Sequence, residues 1–410
     1  MTESTADAFD DRVPFHHLTF VAEGPDEIVV GRPDTDDYAV LPADGTALLR
    51  RMIDGDTPRQ AARWHEETYG EPVDIEDFLD TLRELGFVAE QAGSPARTAP
   101  VTFQWLGRAV FAPAAWAAYA LLVLAAVIAL VREPALRPDP GQVFFTESLV
   151  TVQLVLLVGQ TAGIAWHEGF HVLSGRRLGL PCRLSVGRRM YFIVFETTLK
   201  GLLGVAKRQR YLPFLAGMVG DVLMYCGLTL YAAADRGSDG VLGVTGRLAL
   251  ALAFLTILRF TWQFYLFLRT DLYFLVASVL GCHDLHGATD ARLRNRARRL
   301  VRRTPVVDES VWSDRDRQVA CWYEPFYVAG ALVLTATVVA ALTPIGVEFV
   351  ERVWDGTVEG TWGVRFWDSA VSAASAFVPL GILLVLGLRD RLRDRRPPRE
   401  TENDHGLARI

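Results

Sequence analysis

A mainly helical membrane protein of six spans, led by a small N-terminal α/β winged-helix domain, is the fold class the sequence predicts. Three observations predict it. Residues 18–88 read as short strands followed by three short amphipathic helices, and the apolar runs from residue 109 onward reach membrane length. Charge divides at the same place: residues 1–90 hold 22 Asp/Glu against 7 Lys/Arg, a net of −15, and residues 91–410 carry a net of +9.

In the acidic head, LTFVAE, EIVVG and DYAVL are strand-like segments separated by the turn-rich GPD and RPDTDD. Three helices are expected next: Pro42 to Ile53 ending at Gly55, Thr57 to Tyr69 ending at Gly70, and Asp74 to Leu85 ending at Gly86. Their apolar residues recur at helical spacing, as Leu48, Leu49, Ile53; Ala61, Trp64, Tyr69; and Ile75, Phe78, Leu79, Leu82. A closing FVAE completes a winged-helix unit over 1–92, and QAGSPARTAP opens a linker over 93–108. The N-terminus MTESTADAFDDR has neither the basic nor the apolar region of a signal peptide, so the head is expected in the cytoplasm. Its negative charge repels phosphate and excludes a nucleic-acid partner.

A membrane-spanning helix needs ~20 apolar residues. Spans are expected near 110–131, 146–173, 211–234, 246–268 with a continuation to about 281, 323–344 and 367–388. These divide the body into a core over 109–290, a basic segment over 291–322, a two-span hairpin over 323–390 and a tail over 391–410. Loop charge sets the orientation. Residues 176–210 carry nine Lys/Arg and one acid, residues 269–303 carry eight arginines and three acids, and the tail is arginine-rich. With six spans every basic segment joins the head on the cytoplasmic side of the lipid bilayer. Trp354, Trp362 and Trp367 fit an interfacial belt at the other side. The cysteines Cys182, Cys226, Cys282 and Cys321 share no CxxC spacing and imply no disulfide framework.

The chemistry-bearing stretch is AWHEGFHVLS, residues 165–174, in the second span. On a helix His167 and His171 project from one face at the reach needed to bind one Zn²⁺, and Glu168 stands beside them as a base for metal-bound water. The alternative is a pair of helix-end histidines facing lipid headgroups. Ionisable groups at membrane depth are costly and usually face an interior, which favours the metal site. Zinc needs a third protein ligand. Asp221 in LAGMVGDVLMY, Asp271 in FYLFLRTDLYFLV, and His283 with His286 in GCHDLHG are the candidates.

HEGFH near the end of one span, LAGMVGDV in the next and LRTDLYFLVASVLG after it resemble the motif series of site-2 protease-type membrane zinc metallopeptidases. Within that group the chain is most similar to the bacterial peptide zinc metalloproteases found beside modified-peptide biosynthesis genes. That series runs HExxH, a GPxxN-like or GPxx-acid motif, then an LDGYYLL-like motif whose Asp is a ligand. Here Met218 stands where proline is common, and TDLY replaces LDGY. The resemblance covers roughly 146–290. It implies His167, His171 and Asp271 as zinc ligands with Asp221 as the alternative third ligand, Glu168 as catalytic base, and Gly217 and Asp221 as substrate-binding positions. In enzymes of that type a re-entrant strand pair follows the HExxH helix and its edge accepts an extended peptide, so 184–198, LSVGRRMYFIVFETT, is either such a pair or an ordinary cytoplasmic loop strand.

The head resembles the PqqD-like leader-peptide-binding domains through YAVLPADGTALLRRMIDGDTPRQAA (38–62) and YGEPVDIEDFLDTLRELGFV (69–88). Together the two resemblances imply a protease that cleaves a ribosomally made precursor recruited by its leader, with a peptide-modifying enzyme as a further partner. The alternative is a non-catalytic peptide-binding or immunity protein on the same fold, for which TDLY and AGMVGD are the substitutions expected. An intact Glu168 argues against it.

Overall fold

The computed structural model describes residues 9–24, 26–89, 101–189, 192–237, 240–358 and 362–394. It is mainly helical, with a small antiparallel sheet near the N-terminus. That sheet runs β1 (Thr19–Ala22), β2 (Glu27–Arg32), β3 (Asp37–Pro42) in spatial order, with Val29 opposite both Val21 and Val40.

Helices α1 (Ala43–Ile53), α2 (Pro58–Tyr69) and α3 (Ile75–Glu84) then pack against one face of the sheet. Their starts follow from side-chain caps. Thr57 and Gln60 form a reciprocal capping box, and Asp74 accepts from the Glu76 and Asp77 amides. Leu48, Leu49, Met52, Ala61, Leu79 and Leu82 meet Val30 and Phe87 in a core where each is at most 2% exposed. The chain closes where Phe15 bridges Val88 and the His16 amide donates to the Phe87 carbonyl.

Three expected core residues are not in this core. Ile53 and Tyr69 are exposed because each is the last residue of its helix. On α2 the buried residues are Pro58, Ala61 and His65, while Trp64 is half-buried with the Arg51 guanidinium over its ring. The expected linker segment QAGSPARTAP lies outside the described residues.

The body follows through α4 (Gln104–Val110), α5 (Pro113–Arg132), α6 (Leu149–Arg177), the antiparallel hairpin β4 (Cys182–Arg189) and β5 (Phe192–Leu199), then α7 (Lys207–Ala234) and α8 (Val244–Trp262). After it come α9 (Asp271–Leu280), α10 (Leu285–Leu300), α11 (Asp314–Thr337), α12 (Thr343–Val358) and α13 (Val364–Asp394). Residues 338–342 form a π-helical turn that joins α11 to α12 without a break.

Among the described residues five helical stretches are long and apolar enough to cross a membrane: α5, α6, α7, α8 and Asp314–Val358. This marks a membrane protein, and it corrects the expected six spans. The sixth, 367–388, falls on α13, part of whose side chains lie outside the described residues. The expected span 323–344 is the middle of a 45-residue helix. Leu121, Leu124, Val127 and Val131 of α5 are exposed along their helix, as lipid-facing residues are. Trp354, Trp362 and Trp367 are also exposed.

The expected continuation of the fourth span to 281 is also corrected. Helix α8 stops at Trp262, and Leu266–Leu268 make one 3-10 turn. Arg269 takes a left-handed conformation (φ 53°) before α9 begins. Buried Gln263 holds the break, its carbonyl accepting from Thr270 Oγ1 (2.7 Å) and its side-chain oxygen from the Asp271 amide (3.1 Å). Asp271 is therefore the first residue of a helix and not a point within one.

The head is tied to the body at the N-terminal end of α7. Glu23 pairs with Arg210 (2.9 Å), and Asp36 accepts from the Gly201 amide (2.7 Å).

Candidate metal centre

Helix α6 places His167 and His171 on one buried face, 4% and 6% exposed. Their Nε2 atoms are 3.2 Å apart. Asp271, delivered by the break after α8, brings Oδ2 to 3.1 Å from His167 Nε2 and 3.3 Å from His171 Nε2. Three donor atoms from two helices therefore form a nearly equilateral triangle.

Each imidazole is held from behind. His167 Nδ1 lies 2.9 Å from Asp221 Oδ2, and His171 Nδ1 lies 2.8 Å from the Pro213 carbonyl oxygen. Both partners are acceptors, so both Nδ1 atoms are the donors and both Nε2 lone pairs face the triangle. Helix α7 thus carries the outer support for both histidines, at Pro213 and Asp221.

A metal needs room, and Gly217 supplies it. A Cβ there would sit 2.3 Å from His167 Nε2 and 2.4 Å from His171 Nε2. Tetrahedral zinc with bonds of ~2.0–2.1 Å spaces its ligand atoms about 3.3 Å apart, which the observed triangle matches. Two neutral imidazoles and one carboxylate are also a donor set that suits zinc. His167, His171 and Asp271 form a group that could hold a metal ion.

Asp221 is completely buried, but on the far ring nitrogen of His167, not on the Nε2 side. Its other oxygen, Oδ1, accepts from Arg259 Nη2 (2.7 Å) and Nε (3.0 Å). Glu168 is half-buried next to His167, and its carbonyl accepts from Thr197 Oγ1 of β5 (3.4 Å), which lays the hairpin along α6. That hairpin spans the expected strand-rich 184–198, whose side chains, Thr197 apart, lie outside the described ones.

His283 and His286 stand apart from the donor triangle. The His283 amide donates to Asp316, and the His286 amide donates to the Tyr273 hydroxyl, so they tie the α9–α10 turn together. Sequence reasoning missed Arg259, Gln160, Gln263 and Pro213. Of these only Arg259 carried a legible signal, a lone charge in the apolar run LTILRFTW.

A groove of about 580 Å³ opens between β3 and α9, lined by Tyr38, Val40, Arg210, Phe214, Tyr273 and Phe274 among others. It joins an edge strand of the head to the helix that starts with Asp271. No protein-family model, curated protein or solved structure matches the chain.

Proposed function

We propose that the chain is a membrane-embedded zinc metalloendopeptidase that cleaves a ribosomally made precursor peptide recruited by its N-terminal domain. The observation that carries this reading is the triangle of His167, His171 and Asp271 with Glu168 on the same helix turn. His167, His171 and Asp271 would hold the zinc. Zinc bound there lowers the pKa of water and polarises a carbonyl. Glu168 takes the water's proton and returns it to the leaving amine, so the cleaved bond gains one water in all. Gly217 keeps the space that the scissile group and the metal share.

The other parts support delivery of an extended peptide. Hairpin β4–β5 lies along α6 beside Glu168, where a strand edge offers backbone hydrogen bonds to a substrate. The winged-helix-like head, similar to PqqD-like domains, is docked so that β3 and α9 face one groove. A leader held by the head would leave the following segment close to the donor triangle. The basic loops that share the head's end of the bundle orient it towards the cytoplasm of a bacterial cell. The arginine-rich tail beyond α13 is read on the same side by the same charge rule. Retention of Glu168 favours this reading over a pure peptide-binding or immunity role, which needs no base.

The test compares peptides from cells carrying the wild type or Glu168→Gln by mass spectrometry. A shortened peptide present only with the wild type is the expected result. Identical peptide profiles, or purified protein without stoichiometric zinc, would sink the proposal.

A further inference from the structure

Arg259 of α8 is the third member of a chain of buried polar contacts that ends on His167. Its Nε and Nη2 both donate to Asp221 Oδ1, and its Nη1 donates to Gln160 Oε1 (3.2 Å) on α6. Space for the guanidinium comes from Gly163, one turn before His167, where a Cβ would meet Nη1 at 2.7 Å. Asp221 is 0% exposed and the Arg259 side chain 11% exposed. A buried ion pair is a weak source of stability, because desolvation offsets most of the attraction. At membrane depth such a pair usually marks function.

The geometry points to Arg259 as a positioning residue that locks Asp221 as an acceptor and so fixes which nitrogen of His167 faces the metal. This rests on the zinc reading above. Asp221 divides its two oxygens, Oδ1 to Arg259 and Oδ2 to His167 Nδ1. A carboxylate so held can only accept, so Nδ1 carries the proton and Nε2 keeps its lone pair. The same arrangement sets Asp221 behind the His167 ring, on the Nδ1 side and away from the three donor atoms. It also makes the site depend on α8, a helix that contributes no ligand.

Substitution by the isosteric amide separates this role from a structural one. In Asp221→Asn, Arg259 has only donors, so it retains the amide oxygen and turns the NH₂ towards His167. Nδ1 must then accept, which moves the ring proton to Nε2, the atom the metal needs. Adding Arg259→Met frees the amide to rotate and to offer its oxygen to Nδ1 again. Asp221→Ala imposes no tautomer at all.

The experiment measures zinc affinity of the full-length protein in detergent by competition with a chromogenic chelator, with thermal unfolding as a check on folding. Asp221→Asn is expected to bind zinc about 10–100-fold more weakly than wild type, the usual cost of a lost outer-shell partner. Both Asp221→Ala and the Asp221→Asn/Arg259→Met pair are expected to bind more tightly than Asp221→Asn. A merely structural role gives the reverse order, since the isosteric amide disturbs packing least and a second substitution adds to the loss. Wild-type affinity in Asp221→Asn, or an Asp221→Asn that outbinds either of the other two variants, overturns the inference while leaving the zinc reading intact. Full zinc retention in Asp271→Ala with none in Asp221→Ala overturns it by making Asp221 the ligand. A wild type that binds no zinc removes the metal reading itself, and this inference with it.

Discussion

In the N-terminal unit the side chains at most 2% exposed are Val30, Thr46, Leu48, Leu49, Met52, Ala61, Leu79, Leu82 and Phe87, all but Thr46 apolar. In the body the fully buried set includes Arg210, Asp221, Ser174 and Thr229, while Leu121, Leu124 and Leu157 face outward. The difference has a physical cause. In water, burying apolar area contributes roughly 25 cal/mol per Å², so the head gathers its leucines inside. In lipid that gain vanishes, because the surroundings are as apolar as leucine, and helices associate through close packing and polar contacts. Polar groups that stay inside the body are therefore informative in a way that polar groups in the head are not.

The largest expected effect tests whether the interior of the body exists to make a cavity for a metal. Gly217→Val places branched carbon where a Cβ alone would already stand 2.3 Å from His167 Nε2. Bound zinc, measured by elemental analysis of the purified protein, should fall to near zero. Hydrogen exchange in α1, α2 and α3 should not change. Zinc retained at full stoichiometry would mean that the donors meet the metal elsewhere.

The converse change is made in the head. Phe87→Ala removes a fully buried ring from the core of β2 and the three helices, at a cost of about 3–5 kcal/mol. Hydrogen exchange should accelerate throughout the head while zinc content stays that of the wild type. Loss of zinc in this variant would break the contrast, because it would show the metal site leaning on the head's fold.

How much of each region was legible in the sequence follows the same division. The head's strands and helices begin within a residue or two of expectation, since period, turn residues and caps such as Thr57 and Asp74 are local signals. The face shared by His167 and His171 was legible for the same reason, being set by one helical turn. The break at residues 263–270 was not legible. The run LRFTWQFYLFLRTDLYFLV keeps aliphatic and aromatic residues on both sides of the break, and its polar positions do not say that Gln263 turns back on Thr270 and Asp271. Nor could spacing say that Asp221 backs His167 while Asp271 faces it. That distinction depends on which side of the imidazole each helix approaches, a matter of packing between α6, α7 and α9.

The boundary between the two regions gives the smallest and most discriminating effect. Glu23 of the head is 8% exposed at its side chain and pairs with Arg210, itself 2% exposed, with Lys207 at 3.8 Å. Removing one partner of an isolated buried pair costs about 3–5 kcal/mol. Arg210 is not isolated, because it also donates to the carbonyls of Val205 and Leu203, both at 2.9 Å. Glu23→Gln should therefore cost well under that value, because the ion pair is lost while the guanidinium keeps both carbonyl bonds. The measurement is hydrogen exchange across the β1–β2 turn and residues 201–205, which should rise together, with exchange in the core of α1 and zinc affinity both unchanged. A fall in zinc affinity would instead make docking of the head part of the metal site. The groove between β3 and α9 would then be a coupled element, and no longer only a passage between two independently folded regions.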